Sequence, residues 1–316
     1  MKKYLIRRLI SVIPVLWLAS TLVFSLIHLV PGDPVLVILG SSEVDAKQVE
    51  AMRERLGLNR PLLVQYGSWL ANLMRGDLGT SIISGQPVTR MILERLPTTL
   101  SVAGFALVLA LMISIPAGIF SSVRHNTVVD YTIMGLVILA VSAPSFWLAL
   151  LLILLFSVKL RLLPLVGFVS IFENFWQGLQ FLVLPACSLA FALGALIARM
   201  TRSSMLEVLR EDYMMTALAK GTPRRYLVMK HALKNAFAPV LTIIGFQIGF
   251  LLGGTVVIED VYSIPGVGKL IFQAITNRDY PVVQGCLLVV TFIYVFLNTA
   301  VDLAYTYFDP RVSYGK

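Results

Sequence analysis

Residues 199–258 read RMTRSSMLEVLREDYMMTALAKGTPRRYLVMKHALKNAFAPVLTIIGFQIGFLLGGTVVI, a charged stretch followed by 23 residues without a single Asp, Glu, Lys or Arg. In helical form, about 20 apolar residues cross the hydrocarbon core of a bilayer. The uncharged run therefore predicts a membrane-spanning helix entered from a basic loop. Five further runs, 9–30, 100–123, 133–158, 181–198 and 282–301, share this property. Of the 316 residues, 57% are apolar or aromatic and 14% are charged. Soluble domains carry about 25% charged residues, so a water-soluble globule and a disordered chain are both excluded. The expected fold class is all-α integral membrane, with six transmembrane helices.

Charge asymmetry orients the spans. The first run follows Lys2, Lys3, Arg7 and Arg8. It is too long for a signal peptide and lacks a small-residue cleavage site, so a retained helix with a cytoplasmic N-terminus is expected. The cytoplasmic segments then become 1–8, 124–132, 199–235 and 302–316, holding fifteen of the 26 Lys and Arg residues. The short external loops 159–180 and 259–281 hold four. This bias obeys the positive-inside rule. It also accounts for the net charge of +9 without nucleic acid. Both termini are expected inside.

Loop 31–99 predicts an external helical hairpin. Ser42 with Asp45 suits a helix start and Gly57 its left-handed close. Pro61 suits the first turn of a second helix, whose Leu62, Leu63, Tyr66, Trp69, Leu70 and Leu73 share one face. That face packs on the span tops, offers a docking surface, or does both. In the inner loop, Ser204-Met-Leu-Glu207 predicts a capping box opening a helix that runs to Lys220. Gly221 breaks it, Thr222 caps the next helix and Pro223 takes its first position. The resulting elbow either inserts into a partner's groove or only sets topology.

Chemistry is scarce. Cys187 and Cys286 lie in apolar runs, and His28, His125 and His231 lie far apart, so no metal is expected. No phosphate loop is present, and the nearest string, Gly266-Val-Gly-Lys269-Leu270, has the wrong spacing and ends in Leu. The spans carry no Asp, Glu, Lys or Arg, unlike those of most ion-driven carriers. Gly245, Gly249 and Gly253 predict close helix packing in span five. Pro144, within Ser142-Ala-Pro-Ser-Phe146, predicts a gate or a kink in span three. Ser142, Pro144, Phe146, Gln247 and Asn298 are the candidates for a translocation path or gate, and Gln247 alternatively bonds a neighbouring helix.

Asp212-Tyr-Met-Met-Thr-Ala-Leu-Ala-Lys-Gly221, followed by Lys230-His-Ala-Leu-Lys-Asn-Ala236 and Pro239, resembles the "EAA" loop of ABC importer permeases. The subfamily it resembles imports dipeptides, oligopeptides, glutathione and nickel. Leu29-Val-Pro-Gly-Asp-Pro34, Leu56-Gly-Leu-Asn-Arg-Pro61, Gly76-Asp-Leu-Gly79 and Arg95-Leu-Pro-Thr-Thr-Leu100 are similar to its N-terminal half. Glu259-Asp-Val-Tyr-Ser-Ile-Pro-Gly-Val-Gly268, Asn277-Arg-Asp-Tyr-Pro281, Asp302-Leu-Ala-Tyr305 and Asp309-Pro-Arg311 are similar to the rest. The resemblance covers the whole chain in order. One departure is Met215, which stands where the loop's eponymous Glu belongs.

The resemblance implies a type I permease subunit forming half of a translocation pathway for small peptides by alternating access. The same importer type also serves nickel chelates or glutathione. It implies an elbow that acts as a coupling helix, with Ala217, Ala219, Gly221, Arg224, His231 and Asn235 at the ATPase contact. It implies docking of an extracytoplasmic solute-binding protein near Tyr66, Trp69, Asp77, Glu259 and Tyr262. Partners would be a second homologous permease chain, two ABC ATPase subunits bound underneath, and the lipid bilayer of a bacterial cytoplasmic (inner) membrane, with no nucleic acid. No catalytic residue and no bound cofactor are expected, since ATP and Mg would be used by the partners. The implied division is 1–98, first helix and external loop; 99–305, transmembrane core; 306–316, cytoplasmic tail. A stand-alone channel or secondary carrier, or a non-transporting membrane scaffold, are the readings from other classes.

Overall fold

A computed structural model describes residues 2–29, 46–55 and 59–308, and among these every regular element is helical. In chain order they are α1 (Lys2–Leu29), α2 (Ala46–Arg55), α3 (Leu62–Met74), α4 (Val88–Val123), α5 (Val128–Ser142) and α6 (Ser145–Leu152), continued by a wide π-turn over Ile153–Lys159. There follow α7 (Phe175–Leu209), α8 (Asp212–Ala219), α9 (Arg224–Val261), α10 (Val267–Thr276) and α11 (Tyr280–Phe308). Four helices, α4, α7, α9 and α11, are long and apolar enough to cross a membrane, and the bent pair α5–α6 makes a fifth unit. Helix α1 carries a shorter apolar stretch, Ile10–Ser25.

The central pair is α4 and α7. Their 36 and 35 residues span about 50 Å each at 1.5 Å per residue, so both outrun the hydrocarbon core. They approach closely because α4 presents small residues every fourth position. Ala106, Ala110, Ser114, Gly118 and Ser122 are all buried. A Cβ built on Gly118 would sit 2.6 Å from Thr201 Cβ and 2.7 Å from the Ala198 carbonyl oxygen of α7. Small residues at this spacing let two backbones meet, which replaces the hydrophobic drive that lipid removes. The same device joins α9 to α11. Cβ atoms at Gly245 and Gly249 would meet Val301 and Tyr294 at 3.0 and 2.4 Å, whereas Gly253 faces open space.

Two expectations are corrected. Residues 133–158 do not form one continuous helix, because α5 and the α6 segment are bent by 104°. Pro144 (φ −60°, ψ 138°) is extended and holds Ala143 at φ −88°, ψ 126°, since its ring crowds the preceding residue out of the helical region. The capping box at Ser204 does not form either. Helix α7 runs through to Leu209, with Ser204 buried inside it, and the break falls at Arg210-Glu211. A Ser three residues before a Glu also fits a helix interior. The elbow itself forms with Gly221 at φ 82°, and Pro223, one residue after the expected Thr222, precedes the second helix. The expected start of the first hairpin helix at Ser42 and Asp45, and its close at Gly57, lie outside the described residues.

Candidate functional site

The elbow is built from its break outward. Gly221 donates to the Leu218 carbonyl at 2.9 Å and Thr222 to the Ala217 carbonyl at 3.2 Å. This paired closure is the Schellman ending, and its left-handed residue favours glycine. Met214 pins α8 inward, 3% exposed, among Met205, Leu227, Val228, Ala232 and Ala236, with Ala217 packed beside it. Tyr213, Met215 and Leu218 remain exposed, and so do Ala219 and Gly221. Among the described residues, a side chain at Gly221 would meet nothing within 4 Å.

The other predicted elbow residues brace this shape. Asn235 Nδ2 donates to Tyr213 Oη at 2.9 Å and ties α9 back onto α8. His231 stacks edge-on against Tyr226, whose ring and hydroxyl also hold the Lys230 ammonium. Arg224 Nη2 reaches the Val123 carbonyl at the end of α4, at 3.5 Å. Between α8 and the α4–α5 corner lies a cleft of about 670 Å³, walled by Leu206, Leu209, Met214 and Leu218 and rimmed by His125, Arg210 and Arg224.

That corner holds a network which sequence reasoning missed. Asp130 is 1% exposed, and Arg202 of α7 grips both of its oxygens at 2.7 Å. Ser121 Oγ and the Asn126 amide also donate to it, and His125 Nδ1 lies 3.1 Å away. The Arg202 guanidinium holds the Asp130 carboxyl well below the usual carboxylate range, outweighing the opposing effect of burial. A bidentate guanidinium–carboxylate pair is the strongest common side-chain contact. Its two halves stand 72 residues apart, so no local pattern announces it.

The opposite end of the bundle is built around Glu259, 0% exposed. Thr99 Oγ1 donates to its Oε1 at 2.6 Å and itself accepts from the Val267 amide at 2.8 Å, while the Lys269 amide donates to Oε2 at 3.0 Å. The first turn of α10 thus cradles the carboxylate with backbone N–H groups, which a helix start provides. Cβ atoms at Gly266 or Gly268 would lie 2.3 and 2.9 Å from that carboxylate. The string Gly266-Val-Gly-Lys269 is therefore an anion cradle already filled by the chain's own Glu259. At the far end of α10, Asp279 accepts from Ser81 Oγ at 2.5 Å and from the Ile82 amide at 3.2 Å.

These positions revise the remaining site expectations. Glu259 and Tyr262, 0% and 3% exposed, are not docking-surface residues. Tyr262 is an internal strut whose hydroxyl meets Ser188 and the Ala149 carbonyl. Tyr66 and Trp69 lie against Phe24 of α1, with ring centroids 5.2 and 5.6 Å from it, and Tyr66 Oη meets Thr21 Oγ1 at 3.0 Å. The greasy face of α3 thus rests partly on the first helix, leaving Leu62 and Leu63 exposed. Asp77 is exposed and accepts from the Gly79 amide. Gln247 is 6% exposed and donates to the Leu193 carbonyl at 3.2 Å, so it bonds a neighbouring helix instead of lining an open path. Asn298 sits beside Gly245, whereas Ser142, Pro144 and Phe146 are exposed at the bend.

Residues 114–314 match the family model described as binding-protein-dependent transport system inner membrane component, and residues 1–103 match the model of that system's N-terminal membrane segment. The chain is 43% identical over 334 aligned residues to the dipeptide transport system permease protein DppB of Alkalihalophilus pseudofirmus, covering 99% of this chain and all of that one. It is 41% identical to the glutathione transport system permease protein GsiC of Escherichia coli O6:H1, with the same coverage. Among solved structures, the inward-facing MetNI methionine ABC transporter shares its fold, with a TM-score of 0.58 at 18% identity over 69% of this chain and 96% of that one.

Proposed function

The chain belongs to the family of binding-protein-dependent transport system inner membrane components, and on that premise we propose that it is one permease chain of an ATP-driven importer of small peptides. A second, homologous permease completes the pathway, two ATPase subunits bind at the elbow, and a solute-binding protein docks at the hairpin end. The elbow carries this reading. Its backbone ends in a left-handed glycine, its exposed face is apolar at Met215 and Leu218, and among the described residues Ala219 and Gly221 are left exposed. Small residues there let a partner's backbone come close. Peptides are the favoured cargo because the relatives named above carry dipeptide and glutathione transport in their names.

In this reading the chain crosses the inner membrane six times, with α1 and the bent pair α5–α6 as the first and third spans and both termini in the cytoplasm. Residues 1–98 form the first span and external loop, 99–305 the transmembrane core and 306–316 the cytoplasmic tail. The chain binds no nucleotide, ATP and Mg being used by its partners. Closure of the ATPase pair moves the elbows and shifts the spans between inward- and outward-open populations, driven by ligands that bind one state better. Tyr66, Trp69 and Asp77 remain the docking candidates, and Ser142, Pro144, Phe146 and Asn298 the path candidates.

The test is gentle extraction of the tagged chain from its native membrane, with mass spectrometry of what stays bound. A second permease and two phosphate-loop ATPases are expected. Gly221→Trp should release the ATPases, whereas Gly221→Asn, which tolerates the left-handed backbone, should retain them. A chain that emerges alone and still moves peptide in liposomes overturns the proposal in favour of a stand-alone channel or carrier.

A further inference from the structure

The α4–α5 corner touches both sides of the elbow. Asp130 and Arg202 fasten it to α7, seven residues before that helix ends at Leu209. On the other side, Arg224 at the start of α9 meets the Val123 carbonyl. One helical turn further into the bundle, Gly118 lies against Thr201 and Ala198. A carboxylate at residue 130 also orders its own loop, through Ser121 and the Asn126 amide, and Asn126 is left-handed at φ 60°. The corner, the end of α4 and the end of α7 are thereby joined at one buried point, on the far side of the cleft from α8.

We propose that the Asp130–Arg202 pair is a positioning device for energy coupling. It fixes the α4–α5 corner to α7, so that force applied at the elbow moves these helices as one body. Without it the elbow still binds its partner but swings against a loose wall. Three features separate this role from ordinary stabilisation. The pair sits at the mechanical root of the elbow and not within the main apolar core. It joins helices that are already in contact through small residues, so it adds orientation more than adhesion. Both oxygens of Asp130 are engaged from one guanidinium, a geometry that resists rotation about either helix axis. The proposal rests on the importer reading above and names residues that reading does not use.

The experiment uses the whole importer, extracted and reconstituted in liposomes, with Arg202→Lys, Arg202→Gln and Asp130→Asn. The readout is peptide accumulated per ATP hydrolysed, a ratio independent of how much complex folds. Arg202→Gln and Asp130→Asn should lower it about tenfold while ATP turnover per folded complex persists. Arg202→Lys keeps the charge but loses the fork and should fall between these and the wild type. Hydrogen exchange across 211–226 in the tagged chain gives a second measure, with faster exchange expected in Arg202→Gln. If transport and ATP turnover fall together, or if neither the ratio nor the elbow exchange changes, the proposal is overturned. If no ATPase binds the wild-type chain, the importer reading fails and the coupling role with it, while elbow exchange still decides whether the pair holds the corner to α7.

Discussion

Asp130 and Glu259 are both buried carboxylates, at opposite ends of one bundle, and they are neutralised in opposite ways. Asp130 is held by a cation on another helix. Among the described residues, no cation hydrogen-bonds Glu259; its donors are a hydroxyl and the backbone of a helix start. Side-chain neutralisation makes a joint that one substitution can open and that acid can titrate. Backbone neutralisation writes the site into the chain path, so the glycines that make room matter as much as the carboxylate. The elbow end is thus a rigid joint held by a removable pin, and the hairpin end is a fixed buttress joining α4, α9 and α10.

The comparison can be broken most severely at the buttress. In Gly268→Ala the new methyl would sit 2.5 Å from Val256 Cα as well as against Glu259. Since backbone cannot yield as a side chain does, a loss of about 3 kcal/mol is expected, read as a lower melting temperature of the purified complex. Asp130→Asn comes next, at about 2 kcal/mol, because Arg202 is 23% exposed and recovers some hydration. Denaturation of the same preparation checks it. Thr99→Val removes the hydroxyl relay between Val267 and Glu259 at nearly constant volume and should cost about 1–2 kcal/mol. If it costs nothing, Glu259 does not depend on the relay.

Acid sharpens the contrast with the smallest effect. The Asp130 carboxyl titrates lower in the folded chain than in the unfolded one, so the unfolded state takes up protons first as pH falls. Its contribution is complete above the unfolded value of about 4 and fades as pH drops below it. Wild-type stability should therefore decline from about pH 4 downward, and the Asp130→Asn profile should decline less over that range. Parallel profiles would show that the pair does not set the acid response.

How much of this was legible in the residues follows from the range of each interaction. Gly221 announced its left-handed turn because the demand on φ is local, and Pro144 announced a break for the same reason. The size of the bend at Pro144 was not legible, because 104° depends on what α5 and α6 pack against. The four-residue seam from Ala106 to Ser122 was written in the sequence as plainly as the glycines of α9. It passed unnoticed because alanine and serine are common in any apolar helix. Glu259 and Tyr262 stand in a stretch that reads as an external loop, yet Glu259 lies in the last turn of α9 and the start of α10 folds back over it.

The order of residues is enough to show that this chain is a helical membrane protein, where its apolar runs lie, where its elbow turns and to which family it is similar. Each of these depends on composition, on periodicity or on the backbone preference of a single residue. Helix packing alone brings Asp130 to Arg202, sets Thr99 between Val267 and Glu259, and turns Gln247 onto α7. Those contacts join residues 72, 160 and 54 positions apart. A hydrogen bond acts over about 3 Å, so its partner is set by how the helices cross and not by their order along the chain.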